Sequence, residues 1–230
     1  MNLCKMAVQA FLSSMFISTI AHAADIKTTA WPMFQQNVAH TGFIDASLNA
    51  INFKFDWKVP LGNEATNGYR DFGIYPAVVV DDAVYTTNHG WNDHYQVDST
   101  LQRFAISDGH EIWRKSYLDR DAKLEGTIGE PTVDHDKVFL QSYDPSVPGA
   151  TFFIYEATTG NSTLTTPIPA SYMITLSPSI YADNIYMLGG YYGGIYSFNK
   201  ISGAQNWFTD PRNGQPGYVP TTSPAVSEKF

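Results

Sequence analysis

An all-β fold built from repeated four-stranded antiparallel blades, a β-propeller, is what this sequence predicts, and three observations carry that prediction. A short proline-led segment recurs along the chain. A glycine with large apolar residues at fixed offsets recurs between those segments, in the same order. Beyond the first two dozen residues, no stretch sustains the 3.6-residue apolar period of a helix.

The proline series runs Pro76 to Tyr85, Pro131 to Phe139 and Pro178 to Tyr186, and a further copy begins at Ser223-Pro224 and runs to Phe230. The glycine series is Gly109, Gly160 and Gly203. Each has an aromatic residue five positions earlier (Phe104, Tyr155, Phe198) and a large apolar residue four positions later (Trp113, Leu164, Trp207). Two independent anchor sets in register are the mark of a repeat architecture.

One unit can be read residue by residue. The proline opens a short apolar strand, where its missing N–H costs no ladder bond. Asp82, Asp136 or Asp183 then marks a tight turn before the second strand. The third strand alternates, as in Ile195-Tyr196-Ser197-Phe198. Gly109, Gly160 and Gly203 close the next turn, where glycine's freedom at positive φ reverses the chain. The fourth strand carries Trp113, Leu164 or Trp207. Four short strands in roughly 45 residues is a propeller blade. A β-sandwich, the competing all-β reading, has no need of a motif at fixed period. The 14% aromatic content suits blades that pack face to face.

This places blades near 76–117, 131–168 and 178–209, with a partial blade from 223, inside a propeller region spanning 53–230. Trp57 reads as the fourth strand of a blade whose first three are missing, and Pro224 as opening a blade without its remainder. A complete four-bladed ring is the alternative, but its last blade would lack its middle strands. An unpaired strand at the end is an edge that natural proteins avoid, so the expectation is part of a larger ring.

Residues 1–23 read as an export signal: Lys5, an apolar run from Met6 to Ile20, then Ala21-His22-Ala23 as the cleavage pattern. That run is too short to cross roughly 30 Å of hydrocarbon as a helix. The lone cysteine, Cys4, precedes the apolar run, and Ala24 stands where a lipid-bearing cysteine would be. The expected mature chain is therefore periplasmic or secreted, without membrane span or lipid anchor, and residues 24–52 form a lead segment. It also lacks a thiol for disulfides, thiolate catalysis or metal binding. With 22 acidic residues against 14 basic ones and no basic run, nucleic acid and anionic lipid are poor partners.

Chemistry-bearing clusters are few. The polar turn from Thr87 to Asp98 holds His89, Asp93 and His94, weak candidates for a divalent metal in what reads foremost as an ordinary surface or rim loop. Asp119, Asp121 and Glu125 lack the glycine and third ligand of a calcium loop and read as a charged turn. Tyr191 and Tyr192, between Gly189 and Gly194, read as rim tyrosines on a glycine hinge, with sugar or base stacking as the functional alternative. No motif of a serine hydrolase, zinc protease or phosphate-binding loop occurs.

The stretch Ser197 to Trp207 resembles the tryptophan-docking motif of the pyrroloquinoline-quinone-like (PQQ-like) repeat propellers: a small residue, an Asn two later, Ser-Gly, and a Trp four beyond the glycine. Ile154 to Leu164 departs at Leu164, and Arg103 to Trp113 departs at Ala105. Trp31 to Gly42 is similar to the opening segment of exported members. The resemblance implies a ring of seven or eight blades tied together by Gly109, Trp113, Gly160, Gly203 and Trp207. It also implies two functions. One is a binding or scaffold module that meets a protein or small molecule at its loops. The other is a fragment of a periplasmic PQQ-dependent alcohol or sugar dehydrogenase, which would call for PQQ with Ca²⁺, an aspartate base and, in the alcohol-oxidising enzymes, adjacent cysteines. No cysteine pair is present. Because fold does not fix function, the scaffold reading is the expected one and no catalytic residue is assigned.

Overall fold

The computed structural model describes residues 30–44, 49, 51, 54–59, 61, 70–74, 76–91, 97–118, 127–143, 150–168, 176–189, 194–211, 213 and 223–227. The expected signal segment, Cys4, Asp93, His94, the charged turn 119–125 and the rim tyrosines lie outside the described residues. Among the described residues no helix is long and apolar enough to cross a membrane.

Three antiparallel sheets follow one another along the chain. The first blade comprises β1 (Arg70–Ile74), β2 (Val78–Val80), β3 (Ala83–Trp91), β4 (Val97–Ala105) and β5 (Glu111–Leu118). The second comprises β6 (Thr127–Ile128), β7 (Thr132–Asp134), β8 (Lys137–Tyr143), β9 (Ala150–Glu156) and β10 (Ser162–Ile168). The third comprises β11 (Ser179–Tyr181), β12 (Asn184–Leu188), β13 (Ile195–Asn199) and β14 (Gln205–Thr209).

The sequence anticipates one unbroken first strand per blade, and here the structure adds a feature. In the first two blades the inner edge comes in two pieces: β1 and β2 both pair with β3, and β6 and β7 both pair with β8. The break falls at the proline, which has no N–H to offer a ladder. In the second blade the Gly129 N–H bonds Gln141 C=O across it at 2.8 Å.

The turns behave alike in all three blades. Asp82, Asp136 and Asp183 are the second residues of their turns, and positive φ falls on the residue before: Asp81 (53°), His135 (54°) and Ala182 (50°). Each turn is then tied to the third strand's end by Ile106 N–H to Asp82 C=O, Ala157 N–H to Asp136 C=O and Lys200 N–H to Asp183 C=O, at 2.8–2.9 Å. Alanine is poorly suited to the left-handed region, where its Cβ crowds the carbonyl. Since Ala182 is exposed, Ala182→Gly is expected to gain about 0.5–1 kcal/mol after glycine's extra unfolded-state entropy is subtracted. A higher urea midpoint with an unchanged slope checks this.

Apolar packing lies between the blades rather than within them. One cluster joins the first and second blades through Tyr85, Leu101, Val138, Leu140 and Tyr155. The other joins the second and third through Phe139, Phe152, Ile185 and Phe198, with Met33 of the lead segment. Phe152 stacks between Phe139 and Phe198, with ring centroids 6.2 Å apart on each side. Blades therefore stabilise one another, as interdependent repeats must.

The lead segment forms a strap along the inner edge. Trp31 and Val79 exchange two backbone bonds, at 2.7 and 2.8 Å, on the side of β2 that β3 leaves open. Val133 N–H of β7 donates to Pro32 C=O, and Val226 N–H donates to Val38 C=O, both at 2.8 Å. One short stretch thus reaches the inner strands of the first two blades and the segment opened by Pro224.

Candidate functional site

The residues singled out by the repeat meet at the joints between blades. A Cβ added at Gly109 would lie 2.6 Å from Cε3 of Trp57, at Gly160 2.8 Å from Cδ2 of Trp113, and at Gly203 2.5 Å from Cδ2 of Leu164. Each docking residue therefore lies flat on the glycine turn of the blade that follows it. The glycines are required twice over, because their φ values of 73°, 67° and 68° are also left-handed.

Local structure aims the docking side chains. In every blade the pairing of the third and fourth strands slips by one residue, at Ile112, Thr163 and Asn206, immediately before Trp113, Leu164 and Trp207. Such bulges bend a strand and redirect the next side chain. The Trp57 indole N–H then donates to Ile106 C=O at 2.8 Å, and that of Trp113 to Ala157 C=O at 2.9 Å. Leu164 has no N–H for the corresponding carbonyl, that of Lys200. Trp57 was expected within a strand. Among the described residues, 54–59 pair with no strand, and the Trp57 indole docks on the glycine turn of the first blade. Trp207 is 44% exposed on β14 and contacts Tyr186 of its own blade.

A second set of ties was not anticipated. Thr132 Oγ1 donates to Pro178 C=O, and Ser179 Oγ donates to Pro224 C=O. Each hydroxyl follows its blade's opening proline and bonds the proline carbonyl of the next copy. The signal was visible as Pro131-Thr132 and Pro178-Ser179, but Ala77 and Ala225 break the series. Thr87 Oγ1 also reaches Gly129 C=O at 2.8 Å, joining β3 to the break in the second blade's inner edge.

Next to that break stands Glu130. It is 6% exposed, and among the described residues its Oε1 has no hydrogen-bond partner. Burial pushes its carboxyl pKa up to about 7. Sequence reasoning passed over it, because an acid before a proline reads as a turn residue and only tertiary packing buries it.

Of the weak metal candidates, His89 has its backbone in β3, paired with Ser99. Among the described residues no cluster of three or more histidine, cysteine or acidic side chains could hold a metal. Calcium takes six to eight oxygen ligands, and among the described residues no acidic cluster gathers around Glu130.

Between the second and third blades lies a cavity of about 510 Å³. Phe139, Ile154, Leu164 and Ile201 line it. Its rim is charged: Lys200 pairs with Asp134 at 2.9 Å, and Lys137 pairs with Asp136 at 2.9 Å and Glu156 at 2.7 Å.

No family model and no curated protein matches this chain. Solved structures do. A europium-containing methanol dehydrogenase matches at TM-score 0.52 and 13% identity over 79% of this chain and 32% of its own. A quinohemoprotein alcohol dehydrogenase from Pseudomonas putida matches at TM-score 0.55 and 15% identity, over 82% of this chain and 27% of its own. The fold is that of the PQQ-like β-propellers. BamB from Moraxella catarrhalis is also similar, at TM-score 0.38 and 17% identity over 58% of this chain and 47% of its own. The chain spans about a third or less of the two dehydrogenases, and at such identities the likeness is one of fold alone.

Proposed function

We propose that this chain is an exported PQQ-like propeller segment acting as a binding or scaffold module, which presents its loops to a protein or small-molecule partner. What supports the reading is the strap. Residues 31–38 use the hydrogen-bonding edge of the inner strands for the chain's own backbone, at Val79, Val133 and Val226. The inner side is thereby spent on tying the blades into one rigid body, and rigid blades are what a loop-presenting scaffold requires. Trp207, exposed on β14, is the residue through which a further blade of a seven- or eight-bladed ring would join.

One observation favours the second reading, a fragment of a PQQ-dependent alcohol or sugar dehydrogenase. Glu130, a buried carboxyl held near neutrality, has the character of a general base. The two readings separate on reconstitution of the full chain with PQQ and Ca²⁺. The scaffold reading expects no stoichiometric quinone binding, followed in the quinone's visible absorbance, and no dye-linked alcohol oxidation. Stoichiometric binding with Ca²⁺-dependent oxidation that Glu130→Gln abolishes would replace it with the dehydrogenase reading.

A further inference from the structure

We infer that the joint between the second and third blades is a hinge, closed at its inner edge and latched at its outer rim by an ion pair where the other docking turns carry an indole clasp. The hinge stands whatever the blades bind, and only its consequence for a partner rests on the scaffold reading.

The chain supplies its own comparison. Trp57 and Trp113 each lie on a glycine turn and donate an N–H to the carbonyl three residues before that glycine, Ile106 or Ala157. Leu164 lies on Gly203 in the same way but has no proton for the Lys200 carbonyl. A second tie changes beside it. Arg103, in register with Trp113, reaches across its joint to Thr158 C=O at 3.4 Å. The residue in register with Leu164 is Ile154, whose side chain has nothing to donate.

What spans this rim instead is charge. Lys200 Nζ of the third blade pairs with Asp134 Oδ2 of the second at 2.9 Å, and the two side chains are 21% and 24% exposed. Asp134 is shared, because its other oxygen meets His135 Nδ1 at 2.8 Å. A partly solvated pair contributes little and weakens as salt screens it. A neutral N–H donated to a carbonyl has no net charge to screen. The cavity of about 510 Å³ lies at the same joint, with Leu164 and the exposed Ile201 in its wall.

The inner half of the joint is built differently. Phe152 stacks between Phe139 and Phe198, Met33 of the strap joins that cluster, and Thr132 Oγ1 donates to Pro178 C=O. Neither aromatic packing nor a buried hydrogen bond carries net charge, so salt leaves this edge closed. The third blade therefore turns about the inner edge and parts from the second at the rim, a hinge in the ordinary sense of domain motion. Its loops then shift against those of the first two blades, and a partner that spans the joint is held in a salt-dependent way.

Spin labels on exposed turn residues test the hinge, in a Cys4→Ser background of the full chain. One pair, Thr158→Cys with Ser202→Cys, spans this joint, and another, Ser107→Cys with Thr158→Cys, spans the joint that Trp113 clasps. Distances are read by pulsed electron paramagnetic resonance. The first pair is expected to show a longer component whose share grows about twofold or more between about 0.02 and 0.5 M salt, while the second pair stays narrow. Lys200→Met should give the high-salt distribution at low salt and respond no further. Trp113→Leu should carry the broadening to the earlier joint; should that variant misfold, Lys200→Met decides alone. A distribution across this joint as narrow as the other, or one indifferent to salt, would overturn the hinge. So would Lys200→Met matching the wild type at low salt.

Discussion

Trp113→Ala is expected to lower the unfolding free energy by about 3 kcal/mol, the low end of what truncating a large core aromatic costs. Trp113 is half-buried rather than fully enclosed, which argues for the low end. Against that, it makes three contacts at once: the Gly160 turn, the Tyr85 ring and the Ala157 carbonyl. Removing the indole leaves that carbonyl without its donor, a further cost of about 1 kcal/mol where water cannot reach it. Urea denaturation followed by far-ultraviolet circular dichroism measures the loss without relying on the fluorescence of the residue removed.

The partner position offers a sharper version of the same experiment. Gly160→Ala places a methyl about where the ring of Trp113 already sits, 2.8 Å from Cδ2, at a φ of 67°. The backbone penalty of about 1–2 kcal/mol does not depend on Trp113, whereas the steric one does. In the Trp113→Ala background the alanine should cost about 1–2 kcal/mol less than it does alone, which is the coupling expected of residues in direct contact. Additive costs would mean that the turn and the indole do not bear on each other.

What the sequence made legible follows from this chemistry. Glycine at positive φ and an indole laid on it are requirements for particular residue types at fixed offsets, so Gly109, Gly160, Trp113 and their counterparts stand out in a string of letters. The split inner edge does not, because β1 reads Arg-Asp-Phe-Gly-Ile and has no alternation to betray a strand. The strap is equally silent. Trp31 meets Val79, and Val38 meets Val226, through backbone groups that any residue carries. Leu164 was legible as a departure from the repeat. Its consequence, the loss of the indole N–H that ties the other two joints, emerges only when its joint is set beside the one Trp113 fills.

Glu130→Gln is expected to stabilise the protein above neutral pH and to leave it nearly unchanged in mild acid. Burial raises the folded-state pKa from 4.5 to about 7. Between those two values the unfolded chain has released a proton that the folded chain still holds. Stability therefore falls as pH rises through this window, and it levels off once the folded-state carboxyl has also ionised. The full linkage amounts to about 3 kcal/mol. An amide in the same place is as short of partners as the neutral carboxyl it replaces, so the net gain at pH 8 is close to the full linkage, about 3 kcal/mol. Urea midpoints for both proteins across pH 4.5 to 8 should diverge steadily, with the wild type falling and the variant lacking this component. Parallel profiles would place the Glu130 carboxylate in contact with a cation or with water. That outcome would remove the support that Glu130 lends to the dehydrogenase reading, because a carboxylate with an ordinary pKa is a weak base at neutral pH.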